Sequence, residues 1–177
     1  MLGYNSTIPV TMEDMLHHVK AVSRGIKRAM VIADLPFMTY SVNVEDALRN
    51  SARMLQEGGA HAVKLEGGVT VATTVRHVVA SGIPVMGHVG LGPQSSHLLG
   101  GNRVQGQTAA AAGTVVADAH AVCDAGCFSV VIEAVPRRVA QAITAELAMP
   151  TIGIGAGPDC DGQVLVTHDL LGMFDRF

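Results

Sequence analysis

The sequence predicts an α/β fold of the (β/α)8 TIM-barrel type, incomplete, with about six strands. Short apolar runs alternate with amphipathic stretches in strand, loop, helix units of about 25 to 30 residues, which demands parallel strands joined by right-handed crossovers. No glycine-rich dinucleotide fingerprint follows the first strand, which argues against a doubly wound sheet. Polar residues stand at the C-terminal ends of several different strands, where barrel enzymes place their sites. A full barrel runs to about 250 residues, so a chain of 177 is short of one by roughly two βα units.

The elements follow in order. A helical stretch begins after Thr11, with Asp14 three residues on as a weak capping box, and stops at Gly25. Ala29 to Ala33 is apolar at every position and too short for a helix, as expected of a strand buried on both faces. Asn43 to Gln56 reads as a helix closed by Gly58-Gly59, and His61 to Glu66 as a strand ending in Gly67-Gly68. Val71 to Ser81 is helical and Pro84 to His88 a strand; Val89 to Gln107, rich in Gly, Ser and Gln, is the one extended loop. Ala109 to Ala125 is helical, Phe128 to Glu133 a strand, Arg137 to Ala148 a helix, and Thr151 to Ile154 a strand. A loop over Gly155 to Gly162 leads to a last strand, Gln163 to Thr167. With no linker, low-complexity segment or charge block, residues 1–177 are expected to form a single barrel domain.

Composition excludes several classes of function. Hydrophobic residues make up 49% and charged residues 15%, enough to build a core and too apolar for disorder. The net charge is −3, with no basic stripe, two Tyr, four Phe and no Trp, so no nucleic-acid partner is expected. No apolar stretch reaches the ~18 residues of a membrane span, and Met1 to Val10 shows no basic segment followed by an apolar run, so an unexported protein is expected. Three cysteines, Cys123, Cys127 and Cys160, lack a disulfide or zinc spacing and fit a reducing compartment. Glycine, 20 of 177 residues, exceeds the usual ~7% and marks many tight turns.

Five polar residues at strand ends carry the functional expectation: Asp34, Lys64, Glu66, His88 and Glu133. Charges that follow buried runs are costly unless paired or bound to metal. Four of them also have a plainer reading: Asp34 as a strand stop before a turn, His88 as a core histidine, and Lys64 with Glu66, which share a strand face at i and i+2, as an internal salt bridge. Read for chemistry, Asp34 and Glu66 offer oxygen ligands to a hard divalent cation such as Mg²⁺. Glu133 is then the candidate general base, and Lys64 neutralises an anionic substrate; such a site suits enolate chemistry on an α-keto acid.

Several strings then resemble one family. They are Thr7-Ile-Pro-Val-Thr11, Ala33-Asp-Leu-Pro-Phe-Met38, Val63-Lys-Leu-Glu-Gly-Gly68, Pro84-Val-Met-Gly-His-Val-Gly-Leu-Gly-Pro-Gln-Ser95, Gly100-Gly-Asn-Arg-Val-Gln-Gly106 and Ile152-Gly-Ile-Gly-Ala-Gly157. In order and spacing they resemble ketopantoate hydroxymethyltransferase, from about Gly3 to Gly172. The resemblance implies a (β/α)8 barrel that transfers a hydroxymethyl group from 5,10-methylenetetrahydrofolate to 3-methyl-2-oxobutanoate, giving 2-dehydropantoate for pantothenate biosynthesis. It implies Mg²⁺ as the metal, with Asp34 and Glu66 as ligands, Asp34, Lys64 and His88 as substrate contacts, and Glu133 as proton acceptor. It also implies a cytoplasmic homo-oligomer, commonly a decamer, with the keto acid and the folate as its small-molecule partners and no membrane partner.

The resemblance departs at the ends. The family carries a Gly-Asp-Ser motif before the segment matching Leu2-Gly3-Tyr4, and a C-terminal helical region beyond the point matching Phe177. One of three family metal ligands is therefore expected to be missing, with the first βα units. A six-stranded barrel exposes two sheet edges, so the isolated chain is expected to be aggregation-prone and to bind Mg²⁺ weakly. The alternative is a truncated, non-catalytic remnant or fragment that keeps ligand or partner binding. Related barrels of the isocitrate lyase superfamily usually carry a KKCGH-type loop, which is absent here. A phosphate-binding reading of Gly153 to Gly157 competes with a simple tight turn, and Arg103 and Gln105 either reach an anionic folate tail or only shape their loop.

Overall fold

The computed structural model describes residues 2–95, 101 and 103–173. Its helices are α1 (Met12–Gly25), α2 (Val44–Gln56), α3 (Ala72–Ala80), α4 (Ala109–Asp124), α5 (Arg137–Glu146) and the short α6 (Thr167–Leu170). Its strands are β1 (Ile32–Asp34), β2 (Ala62–Glu66), β3 (Val85–Gly90), β4 (Ser129–Glu133), β5 (Thr151–Ile154) and β6 (Gly162–Gln163). The six strands form one all-parallel sheet in the order β1-β2-β3-β4-β5-β6. Consecutive parallel neighbours with a helix in four of the five crossovers are the arrangement of a (β/α) barrel wall, as the alternation predicts.

Local chemistry starts the helices. Thr11 and Asp14 form a full capping box on α1, stronger than the weak one expected, and Asn43 and Thr108 accept from the backbone of Asp46 and Ala111 to cap α2 and α4. Each long helix then buries residues three or four apart: Leu16 and Val19, Ala47, Ser51 and Met54, Val75 and Val78, Val115, Ala119 and Val122, Ala140 and Ile143. That stripe is what a helix needs to lie on a sheet.

The sheet answers with every second residue. Ala33, Val63, Leu65, Val85, Val89, Val130 and Ile132 join one apolar cluster with the helices, and full burial of a side chain the size of Ile132 is worth about 1.5–3 kcal/mol. The alternate positions face the other way and carry the polar residues. Gly87 lies in the helix-side layer, where a β carbon would meet Val122 at 2.9 Å.

Three boundaries differ from expectation. β1 starts at Ile32 rather than Ala29, because the Val31 N–H is taken by the ring of His61 (2.9 Å to Nδ1) instead of a ladder partner. β3 continues to Gly90, and a single turn of 3-10 helix, Pro93–Ser95, stands inside the expected loop; Ser96 to Gly100 and Asn102 of that loop lie outside the described residues. The last strand is Gly162–Gln163 rather than Gln163 to Thr167. The Val164 N–H still reaches the Gly153 carbonyl at 3.1 Å, but β5 ends at Ile154 and turns away at Gly155 (φ +60°), leaving Leu165 and Val166 without a ladder.

Gly90 sits where β3 passes closest to β4. Its φ is +89°, and a β carbon there would collide with the Glu133 carbonyl oxygen and approach Val135 to 2.9 Å. Gly90→Ala is expected to lower unfolding free energy by about 1–3 kcal/mol or more, read as a shift of the urea midpoint at constant slope.

Candidate functional site

Strand alternation and register assemble the site. Asp34 pairs with Lys64 across β1 and β2, Glu66 with His88 across β2 and β3, and Gly90 with Glu133 across β3 and β4. Glu133 thus ends β4 beside the end of β3. The five sequence-predicted residues line one cavity of about 520 Å³, walled by Ile32, Met86, Val131, Ile152 and Ile154 and by Val164–Val166 beyond β6.

Lys64 is at the centre. Its Nζ lies 2.9 Å from Asp34 Oδ1, 3.8 Å from Glu66 Oε1 and 3.0 Å from His88 Nδ1. An ammonium only donates, so Nδ1 of His88 must accept, which fixes the neutral tautomer with its proton on Nε2. Nε2 stands 3.1 Å from Glu133 Oε2, off the hydrogen-bond line, so it is buried with no hydrogen-bond partner. Side-chain exposure falls from 39% at Asp34 to 5% at Glu66 and 3% at His88, then rises to 21% at Glu133. The middle of the array is therefore largely shielded from bulk solvent at the cavity wall, while Asp34 and Glu133 at its two ends are more open.

Burial pushes the Glu66 carboxyl above the usual carboxylate range, against the lowering pull of Lys64 and His88. Three carboxylates face one fixed cation, leaving two excess negative charges with His88 neutral.

Two further residues act on Glu66 and escaped sequence reasoning. The Tyr40 hydroxyl accepts from the Glu66 backbone N–H (3.2 Å) and lies 3.1 Å from the Glu66 carbonyl and 3.0 Å from Gln94 Oε1. Burial, with the charge of Glu66 beside it, pushes the Tyr40 phenol well above its usual value, which keeps it a neutral donor. Gln94 donates its backbone N–H to Glu66 Oε2 (3.1 Å) and its amide to the Leu35 carbonyl (2.7 Å). Neither belongs to a periodic run; the available signals were that Tyr40 is one of two tyrosines and that Gln94 falls in a family-like string.

Ala134, directly after Glu133, has φ 48°, a left-handed conformation costing an alanine about 1 kcal/mol or more. Hydrogen bonds on both sides hold it: its N–H to the Ile154 carbonyl and its carbonyl from Gln105 N–H, both 2.8 Å. Gln105 is thus a loop anchor, and its side chain bonds the Arg103 carbonyl; neither residue lines the cavity, which favours the loop-shaping reading. Gly155 and Gly157 both have positive φ, and a β carbon at Gly157 would meet Arg137 at 2.7 Å, as a tight turn requires. Met86 walls the cavity, and Met38 is exposed outside it.

A hard cation needs oxygen donors, which Asp34 and Glu66 supply from neighbouring strands of one cavity, with Asp34 Oδ1 held there by the Lys64 ammonium at 2.9 Å. Among the described residues no three His, Cys, Asp or Glu side chains form a cage. Two carboxylates with water and substrate are how Mg²⁺ is commonly held, and the two excess charges match it, so the residues present fit that ion.

Comparison with known proteins agrees with this picture. A family model described as ketopantoate hydroxymethyltransferase matches residues 1–177. The chain is 60% identical to a 3-methyl-2-oxobutanoate hydroxymethyltransferase of Moorella thermoacetica over all of its 177 residues, and 60% identical to that of Syntrophus aciditrophicus. It is 58% identical over 176 residues to that of Carboxydothermus hydrogenoformans. It spans 66%, 65% and 64% of those relatives' own lengths. Among solved structures, a phosphonomutase-like protein of Burkholderia cenocepacia J2315 superposes with TM-score 0.69 at 14% identity, over 93% of this chain and 75% of that one. Phosphonopyruvate hydrolase follows at TM-score 0.59 and 12% identity, over 84% of this chain and 53% of that one. At such identities the likeness is one of fold. Among the described residues no helix is long and apolar enough to cross a membrane.

A carboxyl group raised by burial favours the folded state below its unfolded pKa and loses that contribution as pH rises through its folded pKa. Ionised Glu66 therefore costs stability near neutrality. Glu66→Gln is expected to raise the melting temperature at pH 7, with the gain shrinking as pH falls toward 4, by calorimetry at both pH values.

Proposed function

Because this chain belongs to the ketopantoate hydroxymethyltransferase family, we propose that it transfers a hydroxymethyl group from 5,10-methylenetetrahydrofolate to 3-methyl-2-oxobutanoate, yielding 2-dehydropantoate. The observation that carries this reading is the contact array Asp34, Lys64, Glu66, His88 and Glu133 across four adjacent strands of one cavity. Lys64 meets the negative charge of the keto acid. Asp34 and Glu66 would hold Mg²⁺, which when bound supplies Lewis-acid stabilisation of charge developing on the keto oxygen.

Glu133 accepts the C3 proton of the keto acid at a carboxylate oxygen. That group is the one carboxylate of the array on β4, away from Lys64 and half open to the cavity. His88, its Nδ1 turned to Lys64, sets its Nε2 3.1 Å from Glu133 Oε2 and crowds that carboxylate without hydrogen-bonding it. Met86, Val131 and Ile154 form an apolar wall suited to the branched alkyl end of the substrate and exclude water from the carbanion. The nucleophilic carbon then attacks the methylene carbon carried by the folate, breaking its bond to one folate nitrogen, which takes up the proton held by Glu133; a water molecule displaces the second nitrogen, giving the hydroxymethyl group its oxygen and tetrahydrofolate its last proton. A cytoplasmic homo-oligomer is the setting this reading carries, with exposed Leu165, Leu170, Leu171 and Met173 as apolar surface available for cover.

The test is deuterium exchange at C3 of 3-methyl-2-oxobutanoate, followed by proton NMR with and without Mg²⁺, since enolisation needs no folate. Metal-dependent exchange is expected, and Glu133→Gln should slow it by about 10²–10⁴-fold. No exchange from a folded sample would favour a chain that binds its ligands without turnover, and retained exchange in Glu133→Gln would move the base elsewhere.

A further inference from the structure

The two oxygens of Glu66 have different surroundings. Oε1 faces Lys64 and His88 in the cavity, at 3.8 and 4.0 Å. Oε2 receives the Gln94 backbone N–H at 3.1 Å and lies against Gly92, where a β carbon would stand 2.7 Å away. A side chain at residue 92 would therefore press on Oε2 where the segment after β3 meets Glu66. That segment is in turn fastened to the ends of two other strands. Gln94 amide nitrogen bonds the Leu35 carbonyl just past β1, and Tyr40, at hydrogen-bond distance from Gln94, grips the backbone of Glu66 at the end of β2. Tyr40 is 4% exposed and Gln94 8%, so water competes little for these bonds.

We propose that Tyr40, Gly92 and Gln94 are positioning residues that lock the Glu66 carboxylate, with Oε2 consumed by the segment after β3 and Oε1 left as the oxygen offered to the cavity. Seating of that segment and orientation of Glu66 are then one variable. A carboxylate held by one oxygen presents the other in a fixed direction, which favours single-oxygen ligation of a small cation over a chelating mode. The proposal rests on the reading of Glu66 as a cation ligand for its functional meaning, though not for the lock itself.

The experiment joins amide hydrogen exchange at Gln94, by NMR, to titration with Mn²⁺ followed by EPR, on the 177-residue chain and three variants. Tyr40→Phe removes one hydroxyl, and Gly92→Ala removes no polar group but pushes into Oε2. Asn50→Ala breaks a neighbouring bond, 2.7 Å to the Thr39 carbonyl, that does not touch Glu66. Tyr40→Phe and Gly92→Ala are each expected to speed exchange of the Gln94 amide and to weaken Mn²⁺ binding by about 10-fold or more, the usual effect of losing support behind a ligand. Asn50→Ala should change neither. Unchanged exchange and affinity in both Tyr40→Phe and Gly92→Ala would overturn the proposal, as would an equal loss in Asn50→Ala. If the unaltered chain takes up no Mn²⁺, the cation reading of Glu66 falls, and the exchange rate of the Gln94 amide alone decides the lock.

Discussion

Lys64 is the group on which the inner face of the sheet depends. Two carboxylates about 4 Å apart repel by roughly 4 kcal/mol at an effective dielectric of 20, and this cavity gathers three. A single ammonium touching Asp34 and His88, with Glu66 close by, makes the collection tolerable. It also decides the tautomer downstream, because the imidazole turns its lone pair to Lys64, which leaves its N–H on the side of Glu133 with no hydrogen bond among the described residues. One cation on β2 thus sets the electrostatic state of residues on β1, β3 and β4.

The fold supplies the rigidity this arrangement needs. Central parallel strands are held on both sides by neighbours, and their helix-facing residues are almost all fully buried. The inner face breaks two local rules, an acid pushed up by burial and a ring nitrogen without a hydrogen bond among the described residues, and an alanine in a left-handed conformation follows directly at the end of β4. Such departures gather where chemistry is done and are held in place by a well-packed surround.

The five polar residues were legible because strands repeat every second residue and barrel sites cluster at strand ends, so parity and position together single out Asp34, Lys64, Glu66, His88 and Glu133. Tyr40, Gly92 and Gln94 lie in turns, where no period exists and where only the folded chain brings residues 26 and 28 positions from Glu66 against it. The end of the sheet misled for a related reason. Val164-Leu165-Val166 has the composition of a buried strand, but a strand also requires a partner, and β5 has already turned away at Gly155. For β1, a side-chain acceptor on His61 replaced a ladder bond, something apolar patterning does not encode.

The two-residue period of the sheet also has an evolutionary meaning. Odd and even positions along one strand answer to separate demands: Val63 and Leu65 to the helices, Lys64 and Glu66 to the ligand. Selection can therefore rewrite one register while leaving the other intact. A lineage could keep the helix-facing register as a heritable chassis and exchange the cavity-facing one for another reaction.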